Sequence, residues 1–172
     1  MSSYQDFSLV KREVEFIRKR NNLDTNSQAF IFSILEKIFP SIDLEDYITD
    51  GGRDFSVDAY YVDESKEEIN IFQFKYTDKF ETAKNKDAFK DTNISKFIFD
   101  MEKIWDKDKT LLGIANQKSK DAIRNIWSAL NKFTKTNIWF ISNYYASIHD
   151  KNKIKKIEEE LKKNFRADFK LY

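Results

Sequence analysis

Hydrophobic residues near the start of the chain recur every three to four positions. Phe7, Val10, Val14 and Ile17 fall on one stripe, with Lys and Arg elsewhere. This period predicts an amphipathic helix from about 7 to 20, ended by Asn21-Asn22. A second helix is expected to start near Ser27, an acceptable N-cap, and to stop before Pro40. Its stripe of Phe30, Ile31, Ile34, Leu35, Ile38 and Phe39 is broad, as suits a helix packed on a sheet.

The period then changes. Asp50-Gly51-Gly52 is a turn signal. Phe55 to Val62 is rich in β-formers, Asp63 to Glu68 is a polar turn, and Ile69 to Tyr76 nearly alternates. Together these read as a β-hairpin. Lys84 to Trp105 and Lys118 to Phe133 carry helical stripes. Thr136 to Ser142 is short and almost continuously apolar, as central strands are. Residues 150–164 read as a charged helix, and Arg166 to Tyr172 alternates like a final strand. Paired strands early and strand–helix units late argue for an α/β (α+β) protein. Its mixed central sheet would have about four to five strands flanked by helices.

Composition narrows the chemistry. A chain of 172 residues, 41% hydrophobic and 16% aromatic, can bury one sizeable core. The absence of Cys excludes a disulfide scaffold, a Cys-ligated zinc site, an iron–sulfur cluster and a Cys nucleophile. His149 is the single histidine and reads as a surface loop residue, which argues against His-based zinc sites and a serine-type triad. Net charge is only +1, so any phosphate-binding surface must come from local clustering. No apolar run approaches the roughly 20 residues that span a bilayer. Met1 to Asp6 lacks the basic and apolar regions of a signal peptide. The expectation is a cytoplasmic protein with no membrane partner.

The hairpin carries the candidate chemistry. Gln73 and Lys75 are two apart on one strand and share a face, while Phe72, Phe74 and Tyr76 take the other. With the turn centred near Ser65–Lys66, Asp58 falls opposite Gln73 or Lys75. Directly opposed residues share a face, with Cβ atoms about 5 Å apart. A carboxylate and an amide oxygen are hard ligands suited to Mg²⁺ or Mn²⁺. A lysine beside them can orient a water or neutralise a developing phosphate charge.

The segments Asp50-Gly51-Gly52-Arg53-Asp54-Phe55-Ser56-Val57-Asp58-Ala59 and Ile71-Phe72-Gln73-Phe74-Lys75-Tyr76 resemble the PD-(D/E)xK restriction-endonuclease-like superfamily. The variant resembled has Gln at the second acidic position. The nearest likeness is to the N-terminal nuclease-like domain of AIPR abortive-infection phage-resistance proteins, and more distantly to Mrr-type enzymes. The resemblance implies a restriction-endonuclease-like three-layer fold over 1–172, with a helical N-terminal extension over about 1–24 and a core over about 25–172. It implies that Asp58 matches the metal-binding Asp, Gln73 the (D/E) position and Lys75 the motif Lys. Glu36, on the helix before the hairpin, matches an accessory acid that completes the metal shell or holds the lysine. Asp54 matches the first Asp of the Gly-Gly-x-Asp pattern and reads as a structural cap of the glycine turn. Val57 stands where the superfamily name has Pro. Gln73 removes one negative charge, so metal affinity should lean on Asp58 and Glu36.

The implied activity is a Mg²⁺- or Mn²⁺-dependent endonuclease acting on DNA in prokaryotic defence against phage or foreign DNA. A homodimer is implied, so that two sites cut two strands. AIPR-type proteins are longer than this chain, which implies a single-domain relative or a domain served by a further domain or partner subunit. The alternative is a catalytically silent, nuclease-like module that binds DNA or protein. Lys79, Lys84, Lys86 and Lys90 follow the Gln-Phe-Lys motif and are the basic residues best placed to meet a DNA backbone, with Lys118 as an added contact. Arg18-Lys19-Arg20 is a second basic cluster suited to phosphates; the lysines of 151–156 precede a run of Glu and read as a solvated helix.

Overall fold

The computed structural model describes residues 4–49, 51, 54–145, 155, 157–162 and 168–171. Two helices open the chain, α1 (Tyr4–Arg20) and α2 (Asn26–Ile38). A hairpin follows, β1 (Ala59–Asp63) and β2 (Glu68–Lys75), after a 3₁₀ turn at Leu44–Asp46. Then come α3 (Phe80–Asn85), α4 (Asp91–Trp105), α5 (Thr110–Ile114), α6 (Gln117–Leu130), β3 (Lys135–Ser142) and β4 (Asp168–Leu171). Residues 157–162 are helical. The protein is a mixed α and β fold. Among the described residues, no helix is long and apolar enough to cross a membrane.

The sheet has four strands in the order β1-β2-β3-β4. β1 and β2 are antiparallel, whereas β2–β3 and β3–β4 are parallel. A hairpin turn suffices for the first pairing, and the parallel pairings require long crossovers, which the helices supply. Helices cover both faces. On one, Ile69, Ile71 and Ile138 pack with Phe97 and Met101 of α4 and Ile123 and Ile126 of α6. On the other, Phe72 and Phe74 meet Phe30, Ile31 and Leu35 of α2, with Val14 and Ile17 of α1 behind them. Strand alternation sends consecutive β2 side chains into different cores. That is why β2 is buried along nearly its whole length.

Several boundaries depart from expectation. The N-cap of α2 is Thr25, not Ser27: its hydroxyl accepts from the Gln28 amide and the Gln28 side chain accepts from the Thr25 amide. This reciprocal pair satisfies two donors that Ser27 would leave open. The single helix expected over 84–105 is two helices, α3 and α4. Ala88 and Phe89 in the non-helical link between them are buried in the core. The short helix α5 carries no periodic signal. The first hairpin strand begins at Ala59 rather than Phe55, because Phe55 and Ser56 form a turn with positive φ. Among the described residues no fifth strand appears. His149, Lys151, Lys153, Lys156 and the glycine-turn residues Asp50, Gly52 and Arg53 lie outside the described residues.

The hairpin turn is closed by a buried carboxylate. Asp63 Oδ1 accepts from the Ser65 amide (3.1 Å), the Ser65 hydroxyl (2.6 Å) and the Lys66 amide (3.1 Å). Its Oδ2 pairs with Lys66 Nζ at 3.1 Å. The Ser65 hydroxyl, with help from Lys66, holds the carboxyl below its usual range against the opposing effect of burial. Glu68, paired with Lys135 and accepting from Asn137 Nδ2 at 2.7 Å, is lowered chiefly by the Lys135 bond. Folded values below unfolded ones mean stability that is complete above the ordinary carboxylate range and lost as pH falls through the lowered values. Denaturant midpoints should therefore fall below about pH 4. The double variant Asp63→Asn, Glu68→Gln should flatten that decline, and an unchanged acid limb would refute the assignment.

Candidate active site

The site is built where β2 ends. The register Ala59↔Phe72 extends to Asp58 opposite Gln73. Asp58 precedes β1 by one residue, and two hydrogen bonds lock it to β2. Its amide donates to the Phe72 carbonyl at 3.0 Å, and its Oδ2 accepts from the Phe74 amide at 2.6 Å. The carboxylate thus takes the place of a backbone carbonyl in the ladder. Its two bonds bracket Gln73.

A strained turn sets this position. Phe55 and Ser56 have φ of 54° and 58°, left-handed values that non-glycine residues rarely adopt. The Val57 amide donates to the Asp54 carbonyl at 3.2 Å, closing a turn with both central residues at positive φ. Such strain persists only where the surroundings over-determine it, and here three anchors do so. Asp54 Oδ1 accepts from the Ser56 amide at 3.0 Å. Thr49 donates its hydroxyl to the Val57 carbonyl and its amide to the Asp58 carbonyl (3.0 Å). Ser56 Oγ donates to Asp100 Oδ2 at 2.6 Å, and Lys96 Nζ reaches both Ser56 Oγ (2.8 Å) and Asp100 Oδ2 (2.6 Å). Asp54 therefore caps the 54–57 turn, and of the glycine turn it was expected to cap, Asp50, Gly52 and Arg53 lie outside the described residues.

Gln73 is 6% exposed, and its Oε1 is fully buried without a hydrogen-bond partner. It lies on the face shared with Ile69 and Ile71. Phe140 of β3 is its neighbour in the sheet, packed edge-on to Phe89 and Phe97 at 5.0 Å each. These rings form an apolar wall beside the orphaned oxygen. Lys75 closes β2 on the same face, half-buried, next to Ser142. Its ammonium has no hydrogen-bond or ion-pair partner among the described residues. Asn143, 1% exposed, clamps the exits of both strands: its Oδ1 accepts from the Thr77 amide at 3.0 Å and its Nδ2 donates to the Thr77 carbonyl at 2.7 Å. Ligand sites in open α/β sheets sit at the carboxyl ends of strands, as here.

Glu36 is not brought to this group. Its Oε1 accepts from Arg20 Nη2 at 2.6 Å, an ion pair between α1 and α2 on the far side of the sheet. The broad apolar stripe of α2 turns Leu35 inward, and the adjacent Glu36 turns to α1. Lys79, Lys84, Lys86 and Lys90 are all exposed, and none is ion-paired among the described residues. They lie on α3 and its flanks, directly after the site strand. Lys118 instead reaches the Glu45 carbonyl at 3.5 Å. Sequence reasoning missed Ser56, Lys96 and Asp100. Lys96 and Asp100 have the i, i+4 spacing of a helical pair, but nothing local ties them to Ser56.

Among the described residues, no three His, Cys, Asp or Glu side chains are grouped to hold a metal. Asp58 and Gln73 supply two hard oxygens, and the buried, unpartnered Oε1 of Gln73 suits a cation. Mg²⁺ commonly keeps several waters and binds through one or two protein oxygens plus substrate phosphates. The donor set therefore fits such an ion. No family model, curated protein or solved structure matches the chain.

Proposed function

We propose that this protein is a metal-dependent endonuclease of the restriction-endonuclease-like class, hydrolysing DNA phosphodiester bonds in defence against phage or foreign DNA. One observation carries the reading: a carboxylate fixed against β2 brackets a buried, partnerless amide oxygen, one step from a lysine that has no partner among the described residues. The mixed sheet covered by helices on both faces is compatible with that fold.

Asp58 and Gln73 would hold a Mg²⁺ or Mn²⁺ ion. Bound there, the ion would supply Lewis acidity to a phosphoryl oxygen and lower the pKa of a water. Lys75 orients the attacking water and meets the negative charge that builds on the phosphorus oxygens. The Phe140 wall lowers the local dielectric and strengthens both effects. The 54–57 turn and Asn143 hold Asp58 and Lys75 in place before substrate arrives. The lysines of 79–90 engage the backbone beyond the cut.

A rival reading has one observation in its favour. With Gln73 neutral and Glu36 paired to Arg20, Asp58 is the single carboxylate of the group among the described residues. A catalytically silent DNA-binding module would look the same. Plasmid cleavage in Mg²⁺ and in Mn²⁺ separates the two. Metal-dependent nicking by the natural chain, reduced at least about 10²-fold in Lys75→Ala, supports the nuclease. DNA binding without cleavage selects the silent module, and equal cleavage by both proteins removes Lys75 from the mechanism.

A further inference from the structure

Lys75 and Tyr76 are consecutive, so their side chains leave the end of β2 toward different faces. On the Tyr76 face lies a cavity of about 520 Å³, apart from Asp58, Gln73 and Lys75. Arg18 of α1, Asn26 at the start of α2, Tyr76, Asp78 and Lys79 line it. Its polar demand is unmet. The Tyr76 hydroxyl and Asn26 Oδ1 are fully buried and have no hydrogen-bond partner. A buried donor without an acceptor is costly and calls for a ligand or an ion. The Arg18 guanidinium and Lys79 ammonium likewise have no hydrogen-bond or ion-pair partner among the described residues. Asp78 is the one carboxylate in the lining, against two cations.

Burial pushes the Tyr76 phenol up to about 12, and the charges of Asp78 and Glu15 act in the same direction. The phenol therefore stays protonated at neutral pH and can only satisfy its O–H by donating. The Asn26 amide can present its N–H₂ by rotation. A guanidinium fork, an ammonium and a neutral hydroxyl donor together match an anion with several acceptor oxygens, and phosphate is the anion whose geometry an arginine fork fits.

We propose that this cavity binds a backbone phosphate of the nucleic acid adjacent to the one presented to Lys75. The proposal rests on the nuclease reading. A polynucleotide strand crossing the end of β2 meets Lys75 on one face and the cavity on the other. Ring packing holds the subsite in shape: Tyr76 lies 5.2 Å from Phe30, whose ring is also 6.1 Å from Phe74.

Fluorescence anisotropy of a labelled DNA duplex with the full chain, across a salt series and with Ca²⁺ replacing Mg²⁺ to slow cleavage, tests it. Each lost phosphate contact lowers the slope of log K against log salt by about 0.9. Both cations meet the one phosphate, so Arg18→Ala, Lys79→Ala should reduce the slope by about 0.9, and Arg18→Lys with Lys79 intact should retain it. Tyr76→Phe, which keeps the ring packing, should weaken binding about five-fold at fixed salt with the slope unchanged. Should the double variant fail to fold by circular dichroism, Tyr76→Phe alone decides, and unchanged affinity overturns the proposal. A natural slope in a folded double variant overturns the subsite and leaves the nuclease reading standing. Inorganic phosphate competing with the duplex for the natural chain, while the variants bind duplex normally, identifies a free-phosphate site and also overturns it. Failure of the natural chain to bind duplex sinks this proposal and the nuclease reading together.

Discussion

Asp58→Asn is expected to lower metal-dependent cleavage at least about 10²-fold while leaving the thermal midpoint close to that of the natural chain. Asp58 does two jobs with one side chain. Under the proposed function its charge is the anionic part of the oxygen pair offered to a cation, and its Oδ2 accepts from the Phe74 amide. Asn keeps the shape and an acceptor oxygen but loses the charge. Asp58→Ala loses both, and leaves the Phe74 amide without its acceptor inside the sheet. That adds a stability loss of about 1–3 kcal/mol. Cleavage assays and thermal melts of the two variants side by side separate the roles. If Asp58→Asn cleaves normally, the carboxylate is only a ladder substitute and the metal assignment fails. If both variants melt alike, the Phe74 bond contributes nothing measurable.

Phe72→Ala should cost about 3–5 kcal/mol, a large share of the roughly 5–15 kcal/mol that holds a domain folded. Phe72 is 0% exposed. Its ring lies 5.7 Å from Trp139, 6.0 Å from Phe74 and 6.0 Å from Phe39, joining β2 to β3 and to the end of α2. Rigid neighbours on three sides cannot close the space the ring would vacate. Urea unfolding should show a lower midpoint with an unchanged slope. Phe99→Ala is the matched control: Phe99 is 54% exposed, and its loss should fall within about 0.5 kcal/mol. Comparable losses in the two variants would mean that the core does not discriminate them. Activity should follow Phe72 as well, since Gln73 is the next residue and the Asp58 bonds flank it.

The hairpin was legible because its signals are local. A turn centre near Ser65–Lys66 sets an index sum, and the observed register Ala59↔Phe72 agrees with it. The alternation of Ile69, Ile71 and Gln73 against Phe72 and Phe74 likewise assigns the two faces of β2 from residue order alone. The 54–57 turn was not legible. Phe, Ser and Val are strand-formers or neutral by propensity, and read as the start of β1. Beside the local Asp54 cap, anchors farther along the chain, Thr49, Lys96 and Asp100, hold Phe55 and Ser56 at positive φ. Glu36 failed for a related reason. A helical period says which residues face inward, but the partner of a residue at the edge of the stripe depends on where the neighbouring helix lies.

By itself, then, the sequence determined the helices over 4–20, 26–38 and 117–130, the hairpin, and the placing of Asp58 opposite Gln73 with Lys75 on the same face of β2. These follow from periods of 3.6 and 2 and from turn chemistry, which act over a few residues. The tertiary structure alone decided the order β1-β2-β3-β4, the break between α3 and α4, the Arg20–Glu36 pairing and the cavity under Tyr76. Each depends on groups tens of residues apart competing for the same space, charge or hydrogen bond, and that competition is settled only when the whole core closes.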